Sequence, residues 1–160
     1  LRGSPVSVKV AWVGGDSQLR EEARSQEETM RHLLNEIFLL RRVRHPNIIQ
    51  FIGACVDPEE HTVAMVTERV QSSTLMETVS ADFASRRSQG ALAAHGLGKH
   101  LLKDEDKHRI LLGVARGMRY LHDHAPVVIH GDLRGETVLI TSDGRTKLID
   151  FGLSTATRQE

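Results

Sequence analysis

The sequence VVIHGDLRGETVLITSDGRTKLIDFG, residues 127–152, decides how this chain folds and where its chemistry lies. Two short apolar runs in it flank a turn signal at 142–144, and this pattern predicts a β-hairpin. Asp132 precedes the hairpin and Asp150 directly follows it. Because a hairpin returns the chain to where it began, we expect both carboxylates to face one pocket. Such a pair suits Mg²⁺ and phosphate, although an Asp next to a Gly is more often only a turn residue.

Two further charged residues lie in apolar settings. Lys9 belongs to a predicted strand, 6–12, and its neighbours on the same face are small. Glu36 lies on the apolar face of a helix predicted over 17–42. A buried carboxylate is costly unless it is paired, so the two residues are candidates to neutralise each other. The alternative is that Lys9 extends its amine to solvent and Glu36 lies at the rim of its helix face.

The order of these charged residues matches a set of catalytic parts. The matching segments are Val6-Ser7-Val8-Lys9, Glu36, His130-Gly131-Asp132-Leu133 and Asp150-Phe151-Gly152. They correspond to a strand lysine, a helix glutamate, an H-R-D-L loop and a D-F-G triplet. The chain therefore resembles the protein kinase family. Residues 45–54 (HPNIIQFIGA) and 66–68 (VTE) are similar to its tyrosine-kinase-like group, whereas the catalytic loop is of serine/threonine type.

The resemblance implies an α+β fold, as part of the two-lobed kinase architecture. Residues 1–67 would be a partial small lobe with one sheet and one helix, 68–73 the hinge, and 74–160 a partial, mainly helical large lobe. Within the large lobe, Thr74 and Glu77 predict a helix start with a capping box. The Ala-, Gly- and Ser-rich stretch 84–98 is predicted to be a surface loop that contains some local helix, followed by a helix over 104–124.

The resemblance also implies ATP and Mg²⁺ as cofactors and assigns roles to individual residues. The implied catalytic residues are Asp132, Lys9, Glu36 and Arg134. The implied nucleotide contacts are Lys9, Ser7, Thr67, Glu68, Val70, Leu139 and Asp150. The implied metal ligands are Asp150 and Thr137. In this assignment Lys9 holds the phosphates, Asp132 accepts the proton of the substrate hydroxyl, and Asp150 binds Mg²⁺.

Three residues of the catalytic loop depart from the family pattern. Gly131 replaces the arginine that grips a phosphorylated activation loop, so control by that route is not expected. Arg134 replaces a lysine and keeps the positive charge with a different geometry. Thr137 replaces the asparagine that binds a second metal ion, and its side chain is shorter. Loss of that ligand is expected to weaken the positioning of metal and nucleotide.

Three functions remain open from the sequence. The first is transfer of the γ-phosphate of ATP to Ser or Thr hydroxyls of proteins. The second is a pseudokinase that binds nucleotide or a partner without transfer. The Gly-rich loop and the A-P-E segment of the family lie outside these 160 residues, so we expect this piece alone to be inactive. The third, weaker alternative is a metal-dependent hydrolase that uses His122, His124, His130 and Asp132.

Composition excludes few partners but favours a soluble, intracellular protein. Lys plus Arg and Asp plus Glu both number 21, and this zero balance argues against a nucleic-acid binder. The single cysteine, Cys55, fits a reducing compartment, so we expect a cytoplasmic location. The sequence shows neither a signal peptide nor an apolar stretch of membrane-spanning length. The expected partners are ATP and a protein substrate.

Overall fold

The computed structural model describes residues 3, 5–12, 20–92 and 102–157, with the backbone alone for 20–23 and 86–92. Helices and antiparallel sheets are mixed along the chain, and the predicted α+β class is confirmed. The elements in order are β1 Val6–Trp12, α1 Arg20–Leu40, β2 Phe51–Asp57, β3 Thr62–Glu68, β4 Ser72–Thr74, α2 Leu75–Leu92, α3 Asp104–His122, β5 Val127–Ile129, β6 Val138–Thr141, β7 Thr146–Leu148 and β8 Thr155–Thr157.

The first sheet has the order β1-β3-β2, and helix α1 packs against it. Leu33 and Leu40 on the apolar stripe of α1 are almost completely buried. Strand β2 begins only at Phe51, because Ile48 forms a bridge with Leu148 of the second half of the chain. The structure therefore uses the residues after the Pro46 turn to join the two halves.

The second half of the chain holds the predicted hairpin. Strands β6 and β7 pair around the turn at 142–144, and β4 pairs with the other side of β6. Helix α3 covers β7 closely, since a Cβ atom at Gly113 would lie 2.1 Å from Thr146 Oγ1 and one at Gly117 2.9 Å from a methyl of Leu148. Two small residues on α3 thus let the helix approach the hairpin that precedes Asp150.

Helix α2 replaces the first part of the loop predicted over 84–98 with a continuous helix. The capping box is present as predicted, with Thr74 N donating to Glu77 Oε2 at 2.8 Å and Glu77 N to Thr74 Oγ1 at 3.1 Å. The helix then continues to Leu92, because most residues after 84 are tolerated in helices and a single glycine does not end one. Residues 93–98 of that prediction lie outside the described residues.

Hydrogen bonds and the Lys147–Glu68 ion pair connect the two halves of the chain near the end of β3. Ile49 N donates to Leu148 O at 3.0 Å, and Leu148 N donates to Asn47 O at 2.8 Å. The Lys147 amine lies 2.6 Å from the Glu68 carboxylate, with both side chains largely buried. These contacts fix the position of strand β7, and therefore of Asp150, relative to the end of β3. Among the described helices, none combines the length and apolar character needed to cross a membrane.

Candidate active site

A cleft of about 370 Å³ opens between the first sheet and the β6–β7 hairpin. Its lining residues are Ser7, Lys9, Glu36, Ile49, Met65, Thr67, Glu68, Arg69, Val70, Leu139, Ile149 and Asp150. All seven residues predicted to contact a nucleotide are among them. They come from β1, β3, the segment after β3, β6 and the residues after β7, so the fold brings together positions that are distant in sequence.

Four residues of this wall were not predicted as site residues. Met65 is the cross-strand partner of Lys9, so the register of β1 and β3 is the signal that would have found it. Arg69 and Ile149 directly adjoin predicted site residues, Glu68 and Asp150. Ile49 looks like an ordinary core residue in the sequence. Such apolar walls are typical of ligand pockets, where a few polar groups fix the orientation of the ligand.

Lys9 and Glu36 form the ion pair predicted from the sequence. Lys9 Nζ lies 2.9 Å from Glu36 Oε2 and 3.5 Å from Asp150 Oδ1. Partial burial lowers the pKa of Lys9, but the hydrogen bond and charge of Glu36, followed by those of Asp150, outweigh this and raise the pKa above its ordinary value. The amine is therefore a permanent cation that faces two carboxylates at one end of the cleft.

The buried carboxylate of Glu36 also contacts the Asp-Phe-Gly triplet. Glu36 is only 3% exposed, and its second oxygen accepts a hydrogen bond from Phe151 N at 3.3 Å. Phe151 is fully buried against the ring of His130, with 4.8 Å between ring centroids. Asp150 has a positive φ of 63°, and its half-exposed carboxylate lies 3.5 Å from the Lys9 amine. Helix α1 and the catalytic loop thus both contact the triplet.

Asp132 and Arg134 lie close to each other in the loop between β5 and β6. Arg134 Nε is 3.3 Å from Asp132 Oδ2, and the Asp132 side chain is 27% exposed. Neither residue is among those that line the cleft. In this arrangement the carboxylate is partly accessible and paired with a cation.

Thr137 is buried beneath this loop and braces it. Its hydroxyl lies 2.7 Å from Asp132 O and 3.1 Å from Arg134 O, and it accepts a hydrogen bond from Arg134 N at 3.0 Å. A hydroxyl has one proton and two lone pairs, so these contacts leave at most one lone pair. With 3% of the residue exposed, a role as metal ligand would require the loop to open.

The sequence of this chain matches a known protein family. The sequence profile of the protein tyrosine and serine/threonine kinase family matches residues 18–160, which is most of the chain. The chain belongs to the protein kinase family. The kinase-like fold class and the catalytic parts predicted in order along the sequence are consistent with this membership.

Several relatives of this kinase-family chain are named as serine/threonine kinases. Serine/threonine-protein kinase 12 of Arabidopsis thaliana is 33% identical over 154 residues, which are 96% of this chain and 28% of that protein. Serine/threonine-protein kinase CTR1 of the same plant is 29% identical over 148 residues, 91% of this chain and 16% of that protein. Probable serine/threonine-protein kinase drkA of Dictyostelium discoideum is 29% identical over 133 residues, covering 83% and 18%. The chain spans less than a third of each.

Gly131 occupies the position where the kinase family has an arginine. Its φ is +79°, and a Cβ atom there would lie 2.4 Å from the carbonyl oxygen of Leu153. Ser154 is buried beside it and donates through its hydroxyl to His130 O at 2.6 Å. The glycine therefore lets the segment after the Asp-Phe-Gly triplet approach the catalytic loop backbone directly.

The magnesium ion that the kinase family implies fits the donors of this cleft. Asp150 offers an accessible carboxylate, 46% exposed, on the cleft wall. Within the described ranges, no group of three or more His, Cys, Asp or Glu side chains is arranged to hold a metal ion. A divalent ion here would therefore depend on phosphate oxygens, as Mg²⁺ commonly does. The same finding leaves the alternative of a metal-dependent hydrolase without a ligand set in the described part of the chain.

His130 predicts how stability depends on pH. Burial lowers the pKa of His130, and this outweighs the opposing effects of the Ile149 carbonyl and of the charges of Asp132, Asp150 and Glu36. A histidine with a depressed folded-state pKa is protonated first in the unfolded chain, so stability is lost as pH falls below about 6.5. Between about pH 7.5 and 5.5 we expect His130→Gln to flatten the dependence of unfolding free energy on pH.

A second histidine supplies the control for this experiment. Burial, with the charges of Arg116, Arg119 and Lys147, also lowers the pKa of His45. His45→Gln should therefore remove a separate part of the pH dependence of the unfolding free energy. The effects of the two substitutions should be additive, because the residues belong to different clusters. An unchanged pH profile in His130→Gln would show that this imidazole is not held neutral by the fold.

Proposed function

We propose that this chain forms the nucleotide-binding centre of a protein serine/threonine kinase, which transfers the γ-phosphate of ATP to Ser or Thr hydroxyls of proteins. The observation that carries the proposal is the position of Lys9. Its amine lies between Glu36 and Asp150 at one end of a cleft whose other walls are largely apolar. One cation held by two carboxylates, next to a cleft of this size, suits the phosphates of a nucleotide.

Each residue would contribute to positioning and to proton transfer. Lys9, held by Glu36, would bind the α- and β-phosphates, and Asp150 would hold Mg²⁺, with Thr137 as a second ligand if the loop opens. The bound ion would neutralise charge on the phosphate oxygens. The substrate oxygen would form a bond to the γ-phosphorus while the bond from that phosphorus to the β,γ-bridging oxygen breaks. Asp132 would orient the hydroxyl and accept its proton, and Arg134 would remain near the transferred phosphate.

The apolar end of the cleft would hold the adenine. Ser7 and Leu139 line the cleft from β1 and β6, and Thr67 lines it near the end of β3, where it would lie behind the adenine. Glu68 N already donates to Gln50 O at 3.0 Å. The hydrogen bonds to the adenine edge would therefore come from the Glu68 carbonyl and the Val70 amide. In this proposal 1–67 is the small lobe, 68–73 the hinge and 74–160 the large lobe, in a cytoplasmic protein.

A pseudokinase is the second candidate, and two observations favour it. The Thr137 hydroxyl is occupied by the backbone of its own loop, so the usual second metal ligand is replaced by a structural brace. Arg134 pairs with Asp132, the residue that must receive the substrate proton. A chain of this kind would bind nucleotide without transferring phosphate.

Two measurements on the full-length protein separate these candidates. Transfer of labelled γ-phosphate to a generic protein substrate tests catalysis, and titration with a fluorescent ATP analogue and Mg²⁺ tests binding. If the protein is a kinase, we expect both phosphate transfer and nucleotide binding. In Asp132→Asn we expect transfer to fall by at least about 100-fold while nucleotide binding persists. Binding without transfer would identify a pseudokinase, and the absence of both would end the nucleotide proposal.

Replacing Thr137 with Asn tests the second metal position. The amide oxygen of Asn reaches further than a hydroxyl, so we expect Thr137→Asn to strengthen Mg²⁺-dependent nucleotide binding by about threefold to tenfold. Thr137→Val is the matched control, because it keeps the shape and removes the hydroxyl that braces the loop. If both variants bind Mg²⁺ and nucleotide equally weakly, position 137 acts only through the loop.

A further inference from the structure

The side chain of Asn35 contacts the backbone that follows Asp150. Asn35 is partly buried on helix α1, one residue before Glu36. Its amide nitrogen lies 3.3 Å from Phe151 O, 2.9 Å from Gly152 O and 2.8 Å from Ser154 O. Three carbonyl oxygens that are separated from it by more than 110 positions therefore converge on one donor group.

The Asn35 side-chain amide has fewer protons to donate than there are carbonyl oxygens around it. A side-chain amide nitrogen carries two protons, so the two shorter contacts are the ones it satisfies at the same time. Without the donor, the carbonyl oxygens that converge on it would lose their hydrogen bonds in a partly buried site, which is unfavourable. The fold of residues 151–154 therefore depends on a group that belongs to helix α1.

The same peptide groups are held from other directions. Glu36 accepts a hydrogen bond from Phe151 N at 3.3 Å, so neighbouring residues of α1 bind successive amide and carbonyl groups of the triplet. On the opposite side, the hydroxyl of Ser154 donates to His130 O at 2.6 Å, and β8 pairs with β5. Helix α1, the Asp-Phe-Gly triplet and the catalytic loop are thereby connected through backbone groups.

We propose that Asn35 is a positioning residue, which holds residues 151–154 against helix α1 so that the Asp150 carboxylate stays close to the Lys9 amine. The inference rests on the proposed function only for its nucleotide consequence, because the backbone contacts exist without a ligand. Asn35 acts through the backbone and does not itself line the cleft. A shift of α1 would move Glu36 away from Lys9 and release the triplet at the same time.

Substitution with Asp distinguishes a donor role from simple packing. Asn35→Asp keeps the shape of the side chain but replaces the donor with a carboxylate, which only accepts hydrogen bonds and faces three carbonyl oxygens. Asn35→Ala removes both shape and donor. If the donor matters, the Asp variant is affected more than the Ala variant. If packing matters, the order is reversed. Leu34→Ala, at a neighbouring position that is 49% exposed, is the control.

Hydrogen exchange on the full-length protein measures the contact without any nucleotide. We expect amides of residues 150–157 to exchange about tenfold faster or more in Asn35→Asp than in the wild type, with a smaller increase in Asn35→Ala. Amides of helix α3 should exchange at the same rate in all variants. Wild-type exchange in Asn35→Asp, or equal acceleration in α3, would overturn the proposal.

Binding of a fluorescent ATP analogue, with Mg²⁺ and with EDTA, then tests the consequence for the cleft. We expect Asn35→Asp to lose about tenfold of the affinity that Mg²⁺ adds, with less than about threefold change in EDTA. Faster exchange without any loss of this Mg²⁺-dependent affinity would show a purely structural contact and would overturn the positioning role. If the wild type binds no nucleotide, the proposed function fails, whereas the exchange experiment still decides whether Asn35 holds the triplet.

Discussion

Replacement of Lys9 with Met is expected to weaken ATP binding by roughly 10- to 100-fold and to lower the unfolding free energy by about 2 kcal/mol. The first effect follows from the loss of the cation that faces Asp150 at 3.5 Å in the cleft. The second follows from Glu36, which is 3% exposed and would lose the cation that pairs with its buried carboxyl group. The stability effect is smaller than for a fully buried pair, because the Lys9 side chain is 48% exposed.

Combining Glu36→Gln with Lys9→Met separates the effect on ATP binding from the effect on stability. This double variant has no buried carboxylate at position 36, so we expect it to recover more than half of the unfolding free energy lost in Lys9→Met, while its ATP binding stays weak. Urea or thermal unfolding of the full-length protein and nucleotide titration measure the two quantities in the same samples. If the double variant is less stable than Lys9→Met, the unpaired Glu36 carboxylate is not the cause of the stability lost in Lys9→Met.

The residues that could be predicted from sequence are those that violate a local pattern. Lys9 in a strand rich in valine and Glu36 on an apolar helix face both contradict hydrophobic periodicity, and the structure pairs them at 2.9 Å. The hairpin turn between the two aspartates is likewise a local signal. For this reason the fold class and the elements around the cleft followed from the sequence together with the family resemblance.

Other features leave no local trace, because their partners are backbone groups far along the chain. Asn35 looks like an ordinary polar residue on a helix, and its carbonyl partners carry no side-chain identity. Thr137 was interpreted from the family as a metal ligand, a role that stays a prediction, yet its hydroxyl contacts Asp132 O and Arg134. The length of α2 was missed because composition alone does not tell a weakly amphipathic helix from a loop.

Replacing Gly131 with the arginine of the family is expected to cause the second large effect, a loss of stability. Gly131→Arg, or Gly131→Ala as its minimal form, places a Cβ atom 2.4 Å from Leu153 O at a φ of +79°. The left-handed backbone costs an L-residue about 1 kcal/mol, and displacing a packed backbone costs about 1–3 kcal/mol more. We therefore expect the variant to lose about 3 kcal/mol and to melt roughly 10 °C lower, with residues 150–157 displaced.

Gly144 supplies a matched control for this prediction. Its φ of +76° is nearly the same, but the nearest atom to an added Cβ is Arg109 Nη1 at 3.0 Å, the end of a flexible side chain. Gly144→Ala should therefore lose only about 1 kcal/mol, and the difference between the two alanine variants isolates the contact with Leu153. Equal melting temperatures for the two variants would show that the close approach is relieved without cost. Because the Leu153 contact blocks any side chain, Gly131→Arg is expected to lower phosphate transfer rather than raise it.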